Sequence, residues 1–346
     1  GGTLLLFRHP RLNDYHGKPI EETFAFYSKV ISTFYLHGTH LLVQPVDIVH
    51  CHDWHTALVP LLIGEQNKIL HKKETLQSKA VKTIITIHNL LYQGVAKEDI
   101  IQSLNVPRDV FHIRENARGN RVSFLREGFE YADVISTVSP TYAKEILEIS
   151  HHDALGDILQ RRKANVIGIL NGIDEDSWNP RRDTALGESY DLKTVFSVKP
   201  RLKARLQKEA GLPVENVPLF GFVGRIEPRQ KGIDIVIEAL TDLLKNTPMQ
   251  VVILGTGEPL SVRALTELAR AHKGKLAFIH AFDDAVARRF YAGADILLVP
   301  SKFEPCGLTQ MIAMRYGTIP LVRATGGLID SVTDNTTGFV FDQYSG

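Results

Sequence analysis

The chain has 346 residues, with 40 Lys and Arg against 39 Asp and Glu and a net charge of +1. At about 150 residues per domain the length suggests two domains. A content of 44% hydrophobic and 23% charged residues excludes long disorder, a collagen and a membrane bundle. The charge balance gives no overall pull toward nucleic acid or an anionic membrane.

In chain order, short β-branched runs alternate with helix-like stretches. Residues 46–51 lead to Asp53 and an apolar helix over 56–63, and 83–87 lead to His88-Asn89. Residues 134–138 precede a helix over 141–149, and 166–170 run into Asn171-Gly172. A helix over 199–210 follows. The theme then repeats, with strands at 219–223, 250–254, 276–279, 296–299 and 319–322 and helices at 233–245, 284–292 and 308–316. Near-continuous Val/Ile runs suit strands buried on both faces, and their alternation with helices predicts α/β architecture with parallel sheets. Two such series predict two doubly wound domains, divided as 1–185 and 186–346, with the break between Asn179-Pro180 and Pro218.

Ligands of open α/β sheets sit outside the carboxyl ends of the strands, so the residues after each run carry the functional reading. His50, His52, Asp53 and His55 cluster after the first run. Strand neighbours point to opposite faces, which argues against a metal site, and Asp53 reads as a helix N-cap. His88-Asn89 with Gln93-Gly94 offers hydrogen bonds to a polar substrate, or is a structural turn. Gly224-Arg225 and Lys231-Gly232 place cations at a helix N-terminus, where the dipole favours anions; a bound phosphate resolves that conflict, and a solvated loop is the bland alternative. Glu304 ends an apolar run and suits sugar hydroxyls, or is a helix N-terminal acid. Cys306 beside Pro and Gly has no adjacent base and reads as packing. Gly326-Gly327 lets backbone amides approach an anion. Gly255-Thr256-Gly257 is only a fragment of a dinucleotide fingerprint. Asn335-Thr336-Thr337 fits a glycosylation acceptor with nothing else pointing to secretion. Cys51 and Cys306 make neither a disulfide scaffold nor a metal spacing. Together the sites ask for a ligand with a pyrophosphate and a polyhydroxylated part, such as a nucleotide sugar.

Several ordered stretches carry a resemblance: His52-Asp53-Trp54-His55-Thr56-Ala57-Leu58, Thr86-Ile87-His88-Asn89, Thr137-Val138-Ser139-Pro140, Asn171-Gly172-Ile173-Asp174, Glu304-Pro305-Cys306-Gly307-Leu308-Thr309-Gln310 and Thr325-Gly326-Gly327-Leu328. On these the chain resembles the bacterial glycogen synthase and plant starch synthase family. The resemblance implies two Rossmann-like domains facing a cleft, the GT-B fold, and retaining transfer of glucose from ADP-glucose to the non-reducing end of an α-1,4-glucan. It implies catalytic roles for His88, Arg225, Lys231 and Glu304. It implies substrate contacts for Asp53, Asn171, Cys306, Gly307, Leu308, Thr309, Gly326, Gly327 and Leu328, and places Phe282 near the base. No metal or cofactor is implied, because the nucleotide sugar is a substrate and Arg and Lys neutralise its phosphates. Neither nucleic acid nor membrane is an expected partner. The implied location is the cytoplasm of a bacterium, or the plastid of a plant or alga.

Three departures accompany the resemblance. The chain opens on Gly1-Gly2-Thr3, without the family's Lys-x-Gly-Gly-Leu loop. It ends at Gly346, before the family's final helices. Arg225 and Lys231 stand six apart where the family usually has five. The expectation is therefore a synthase fragment truncated at both ends, the alternative being a non-catalytic relative that binds glucan or nucleotide sugar.

Overall fold

The structure is a computed structural model that describes residues 19–38, 42, 46–71, 81–115, 119–149 and 155–346. The opening Gly1-Gly2-Thr3 lies outside the described residues. Contacts divide the chain into two units, residues 1–138 with 143–169 and residues 139–142 with 170–346.

The first unit begins with helix α1 (Ile20–His37), which follows Pro19 and carries Glu21 and Glu22 in its first turn and His37 in its last. The two acids complement the helix dipole. Strand β1 (Ile48–His52) leads into the one-turn helix α2 (Asp53–Thr56) and then α3 (Val59–His71). Strand β2 (Lys82–Ile87) follows, then a ribbon of β3 (Val95–Lys97) and β4 (Arg121–Ser123), which pair antiparallel. The Ser123 hydroxyl accepts the Arg126 N–H and so caps α4 (Phe124–Tyr131). Strand β5 (Val134–Thr137), helices α5 (Pro140–Ile149) and α6 (Gly156–Arg161) and strand β6 (Val166–Gly168) complete the series. Among the described residues the sheet has the sequential order β1-β2-β5-β6, all parallel.

In the second unit, helix α7 (Val195–Glu209) precedes β7 (Leu219–Val223), α8 (Ile233–Asn246), β8 (Gln250–Leu254), α9 (Pro259–Ala271) and β9 (Leu276–Ile279). Then come α10 (Asp284–Gly293), β10 (Ile296–Val299), α11 (Thr309–Arg315), β11 (Ile319–Arg323), α12 (Gly326–Ser331) and β12 (Phe339–Phe341). The sheet order is β12-β11-β10-β7-β8-β9, all parallel. The chain winds outward from β7 to β9, returns to β10 beside β7, and winds outward the other way. That is the doubly wound Rossmann order, with its switch point between β7 and β10. All five residues of β8 are buried, as a strand covered on both faces requires. On one face Ile233, Val236, Leu240 and Leu244 of α8 pack with Leu265 of α9 over Val251 and Ile253. The apolar spacing of three and four residues along α8 sets that face.

The segment after β6 packs on the second unit. The Arg288 guanidinium lies 4.1 Å over the Trp178 ring. Asp183 accepts hydrogen bonds from Arg288 at 3.1 Å and from the Tyr316 hydroxyl at 2.5 Å, and the Tyr190 hydroxyl donates to the Tyr316 carbonyl at 2.8 Å. Asp183 and Tyr190 fall inside the stretch from Asn179-Pro180 to Pro218 where the sequence places the domain break.

Lys199 of α7 is half-buried, and its ammonium ties that helix to the end of α10 and the approach to β11. Its ammonium donates to the Ala292 carbonyl at 2.9 Å, the Ala294 carbonyl at 3.1 Å and the Thr318 hydroxyl at 2.7 Å. Burial pulls its pKa from 10.5 to about 7. Between those values the unfolded chain holds a proton that the native chain has lost, so stability rises with pH across that window. Lys199→Met is expected to cost about 1–3 kcal/mol through stranded acceptors. It is also expected to flatten the rise in stability between pH 7 and 10. Denaturant melts across that range check both.

Candidate functional site

The switch point of the second sheet gathers the chemistry. Arg225 lies two residues beyond β7, and Glu304 five residues beyond the neighbouring β10. Between Arg225 and α8 the loop is built on Glu227, whose carboxylate accepts the backbone N–H groups of Arg229 at 2.8 Å and Gln230 at 2.9 Å. The six-residue spacing from Arg225 to Lys231 is accommodated in this turn. Gly232 ends it with φ 68°. A Cβ there would stand 2.0 Å from the Pro300 carbonyl oxygen, so Gly232 lets the loop run against the exit of β10.

Glu304 is 5% exposed. Its Oε2 accepts the Lys231 ammonium at 2.7 Å and the Ser301 hydroxyl at 2.8 Å. Lys231 and Glu304 thus neutralise one another. Arg225 is exposed and donates to the Gln230 side-chain oxygen at 2.7 Å. That partner is a neutral amide, and no carboxylate among the described residues forms an ion pair with Arg225. An anion arriving at this edge meets Arg225 as an open cation and Lys231 as a cation already engaged.

The loop 300–308 is held from several sides. Arg323 donates to the Lys302 carbonyl at 2.8 Å, and the Lys302 N–H donates to the Gln230 carbonyl at 2.8 Å. The buried Gln310 amide donates to the carbonyls of Cys306 at 3.1 Å and Gly307 at 2.9 Å. Gly307 has φ 71°, Leu308 is exposed, and Thr309 begins α11. The Gly327 N–H donates to the Glu304 carbonyl at 3.0 Å and the Leu328 N–H to the Thr325 carbonyl at 3.1 Å. Both amides therefore already have acceptors. A Cβ on Gly327 would meet the Cys306 backbone at 2.4 Å, so this glycine serves close packing of α12 on the loop. Gly326, also buried, opens α12. Asn171 is half-buried, and its N–H bonds the Cys306 thiol. Burial raises the pKa of Cys306, and that of Cys51 to about 12, so neither is a ready thiolate. Phe282 stands apart beyond β9, 96% exposed. The glycines of Gly255-Thr256-Gly257 have a structural cause: their Cβ atoms would lie 1.9 Å from the Gly224 carbonyl and 2.2 Å from the Ile226 carbonyl.

The first unit has its own polar edge. Asp53 takes a left-handed backbone, φ 53°, and its carboxylate accepts the His88 N–H at 2.7 Å. The expectation of an N-cap is corrected here: α2 has no side-chain cap, and Asp53 reaches across to the end of β2 instead. His88 is exposed. His52 Nδ1 lies 3.0 Å from His88 Nε2, and His50 Nε2 lies 2.6 Å from the Thr86 hydroxyl. His50 and His52 are two apart on β1 and share a face, with ring centroids 4.3 Å apart. The argument from alternation separates His52 from its immediate neighbours but not from His50. No group of three His, Cys, Asp or Glu among the described residues has metal-binding geometry.

Residues 4–161 match the family described as starch synthase catalytic domain, and residues 204–346 match glycosyl transferases group 1. A glycogen synthase of Thermodesulfovibrio yellowstonii is 42% identical over 95% of this chain and 65% of its own length. One from Exiguobacterium sibiricum is 39% identical over 94% of this chain and 67% of its own. The solved catalytic domain of starch synthase IV from Arabidopsis thaliana, bound to ADP and acarbose, superposes with a TM-score of 0.81 at 32% identity, covering 96% of this chain and 68% of that one. This chain belongs to the glycogen and starch synthase family.

The synthase fold class, two Rossmann-like α/β units of the GT-B type, follows as expected. The chain spans 65% and 62% of the first two synthases it matches. No described helix is long and apolar enough to cross a membrane. The second unit brings together Arg225, Lys231, Glu304, Cys306, Gly307, Gly327 and Asn171, and the first unit joins His88 to Asp53. Sequence alone does not single out the residues that hold the others: Glu227, Gln230, Ser301, Gln310, Arg323, and His52 as a partner of His88. A polar residue beside each motif was the available signal. Only the folded chain shows which of them point inward.

Proposed function

We propose that the protein transfers glucose from ADP-glucose to the non-reducing end of an α-1,4-glucan, with retention at the anomeric carbon. The observation that supports this most directly is the open guanidinium of Arg225 beside the Lys231–Glu304 pair at the switch point of a Rossmann sheet. A pyrophosphate needs preorganised positive charge where the leaving group gains negative charge. Arg225 and Lys231 supply it without a metal ion. In the reaction the bond from the anomeric carbon to the phosphate oxygen breaks through an oxocarbenium-like state. The acceptor hydroxyl attacks from the same face and gives its proton to the departing phosphate oxygen.

On this reading Glu304 holds glucose hydroxyls through the carboxylate oxygen left by Lys231 and Ser301. Residues 306–309 and 326–328 shape the pocket wall, and Phe282 stacks on the base. His88 contacts the sugar, Asp53 fixes the His88 backbone, and Asn171 steadies the Cys306 loop. The location proposed is the cytoplasm of a bacterium.

The test is glucose incorporation into a glycogen primer, with ADP-glucose and UDP-glucose in parallel, on the protein as its gene encodes it. Incorporation from ADP-glucose is expected, and Arg225→Ala is expected to lower kcat by about 10²–10³. Glucan binding without incorporation from either donor would overturn the reading and leave a glucan-binding protein.

A further inference from the structure

We infer that His52 is a positioning residue for His88: its imidazole holds the His88 ring in one orientation and fixes which proton that ring carries. The inference rests on the proposed role of His88 at the sugar. His88 is exposed at the end of β2, where an imidazole alone would sample several rotamers. Two bonds restrain it. Asp53 Oδ1 takes its backbone N–H at 2.7 Å, and His52 Nδ1 lies 3.0 Å from its Nε2. His52 is itself placed by its strand. Its backbone N–H donates to the Thr56 hydroxyl at 2.7 Å, and its ring lies against His50, whose Nε2 is engaged by Thr86 at 2.6 Å. Thr86 in turn meets Ser136 at 2.6 Å. A hydrogen-bonded row across β1, β2 and β5 thus backs the ring that backs His88.

The contact has a proton rule. One hydrogen fits between His52 Nδ1 and His88 Nε2, so one nitrogen donates and the other accepts. The bond survives one added proton on the pair, because a cationic imidazole donates well to a neutral one. A second proton leaves two donors facing each other and breaks it. The groups facing His52 are His50 on its own strand, Asp53 beyond that strand and His88 from β2. Burial, His50 and His88 depress its pKa below 6.5, and Asp53 opposes them. The lowered pKa of His52 disfavours the second proton and so favours the intact pair. His88 is left with Nδ1 as the ring atom for a sugar hydroxyl.

The experiment compares His52→Ala, His52→Asn and the unsubstituted protein. Asparagine places a polar atom where Nδ1 stood and cannot titrate. His52→Ala is expected to lower kcat about tenfold, a modest misplacement of a contact group. Its KM for ADP-glucose should change little, and its melting temperature should be retained. His52→Asn is expected to recover kcat to within about threefold. Nitrogen-15 ring spectra of His88 across pH read the contact without turnover. They should show one fixed tautomer in the unsubstituted protein and a tautomer mixture in His52→Ala. An unchanged kcat in His52→Ala, or the same His88 spectrum in both, overturns the inference. Absence of glucose transfer in the unsubstituted protein counts against the function proposed above, and the His88 spectra still decide the role of His52.

Discussion

Lys231→Ala is expected to destabilise the protein by about 3 kcal/mol and to remove nearly all transfer activity. The stability loss has a defined source. Glu304 is buried, with a side-chain exposure of 6% against 25% for Lys231, so removing the lysine leaves a carboxylate without a counter-charge in a dry place. Breaking one side of such a pair typically costs about 3–5 kcal/mol. The Ser301 hydroxyl remains and keeps the cost at the lower end. Urea melts of Lys231→Ala beside the unsubstituted protein check the loss; equal midpoints would mean that Glu304 does not depend on Lys231. Pairing Lys231→Met with Glu304→Gln should recover most of the stability, because no buried charge is stranded, while activity stays lost. That split separates the ion pair as a structural contact from the cation as a catalytic one.

Gly232→Ala should be among the most damaging single-methyl changes in the second unit. The added carbon would sit 2.0 Å from the Pro300 oxygen and 2.8 Å from its carbonyl carbon, both backbone atoms with no rotamer to turn away. The left-handed φ of 68° adds about 1–2 kcal/mol for any residue with a Cβ. A loss of about 3 kcal/mol or more is expected, at the upper end of single substitutions. At about 2–4 °C per kcal/mol for a unit of this size, the melting temperature falls by roughly 6–12 °C. The clash also pushes the loop bearing Lys231 away from the one bearing Glu304, so KM for ADP-glucose should rise in protein assayed below its melting point. Gly64→Ala is the control. Gly64 lies in α3 with nothing within 4 Å of the new methyl, and a neutral or slightly stabilising change is expected. A Gly232→Ala melt matching that of Gly64→Ala would refute the close approach.

Much of the fold can be read from the chain because buried parallel strands leave a continuous apolar signature. Leu219–Val223, Gln250–Leu254, Leu276–Ile279 and Ile296–Val299 fall where those runs stand. The ribbon Val95–Lys97 with Arg121–Ser123 leaves no such mark, since three residues are too few to show a period. Helix α1 is hard to see for a different reason: its buried face is made of Thr23, Ala25, Ser28 and Ser32, which hydropathy does not flag. At the site, the charged motif residues stand out by being misplaced for pure structure, as Arg225 and Lys231 are beside a helix start. Their supports do not stand out. Glu227, Gln310 and Arg323 are ordinary polar residues until folding aims them at backbone groups of the site loops. Asp53 shows the opposite error, because its left-handed backbone turns a plausible cap into a tether for His88.

The aromatic anchorage of the segment after β6 bears on how such proteins can be recombined. Trp178, Asp183 and Tyr190 are matched to Arg288, Tyr316 and the carbonyl of Tyr316. A crossover near residue 170 inherits those partners from one parent. A crossover in the stretch marked by Pro213 and Pro218, where the sequence invites a cut, splits them between parents and sets one ancestor's tryptophan under another's arginine. Chimeras that exchange donor preference should therefore retain function more often with the earlier junction, and surviving natural recombinants should carry their breakpoints there.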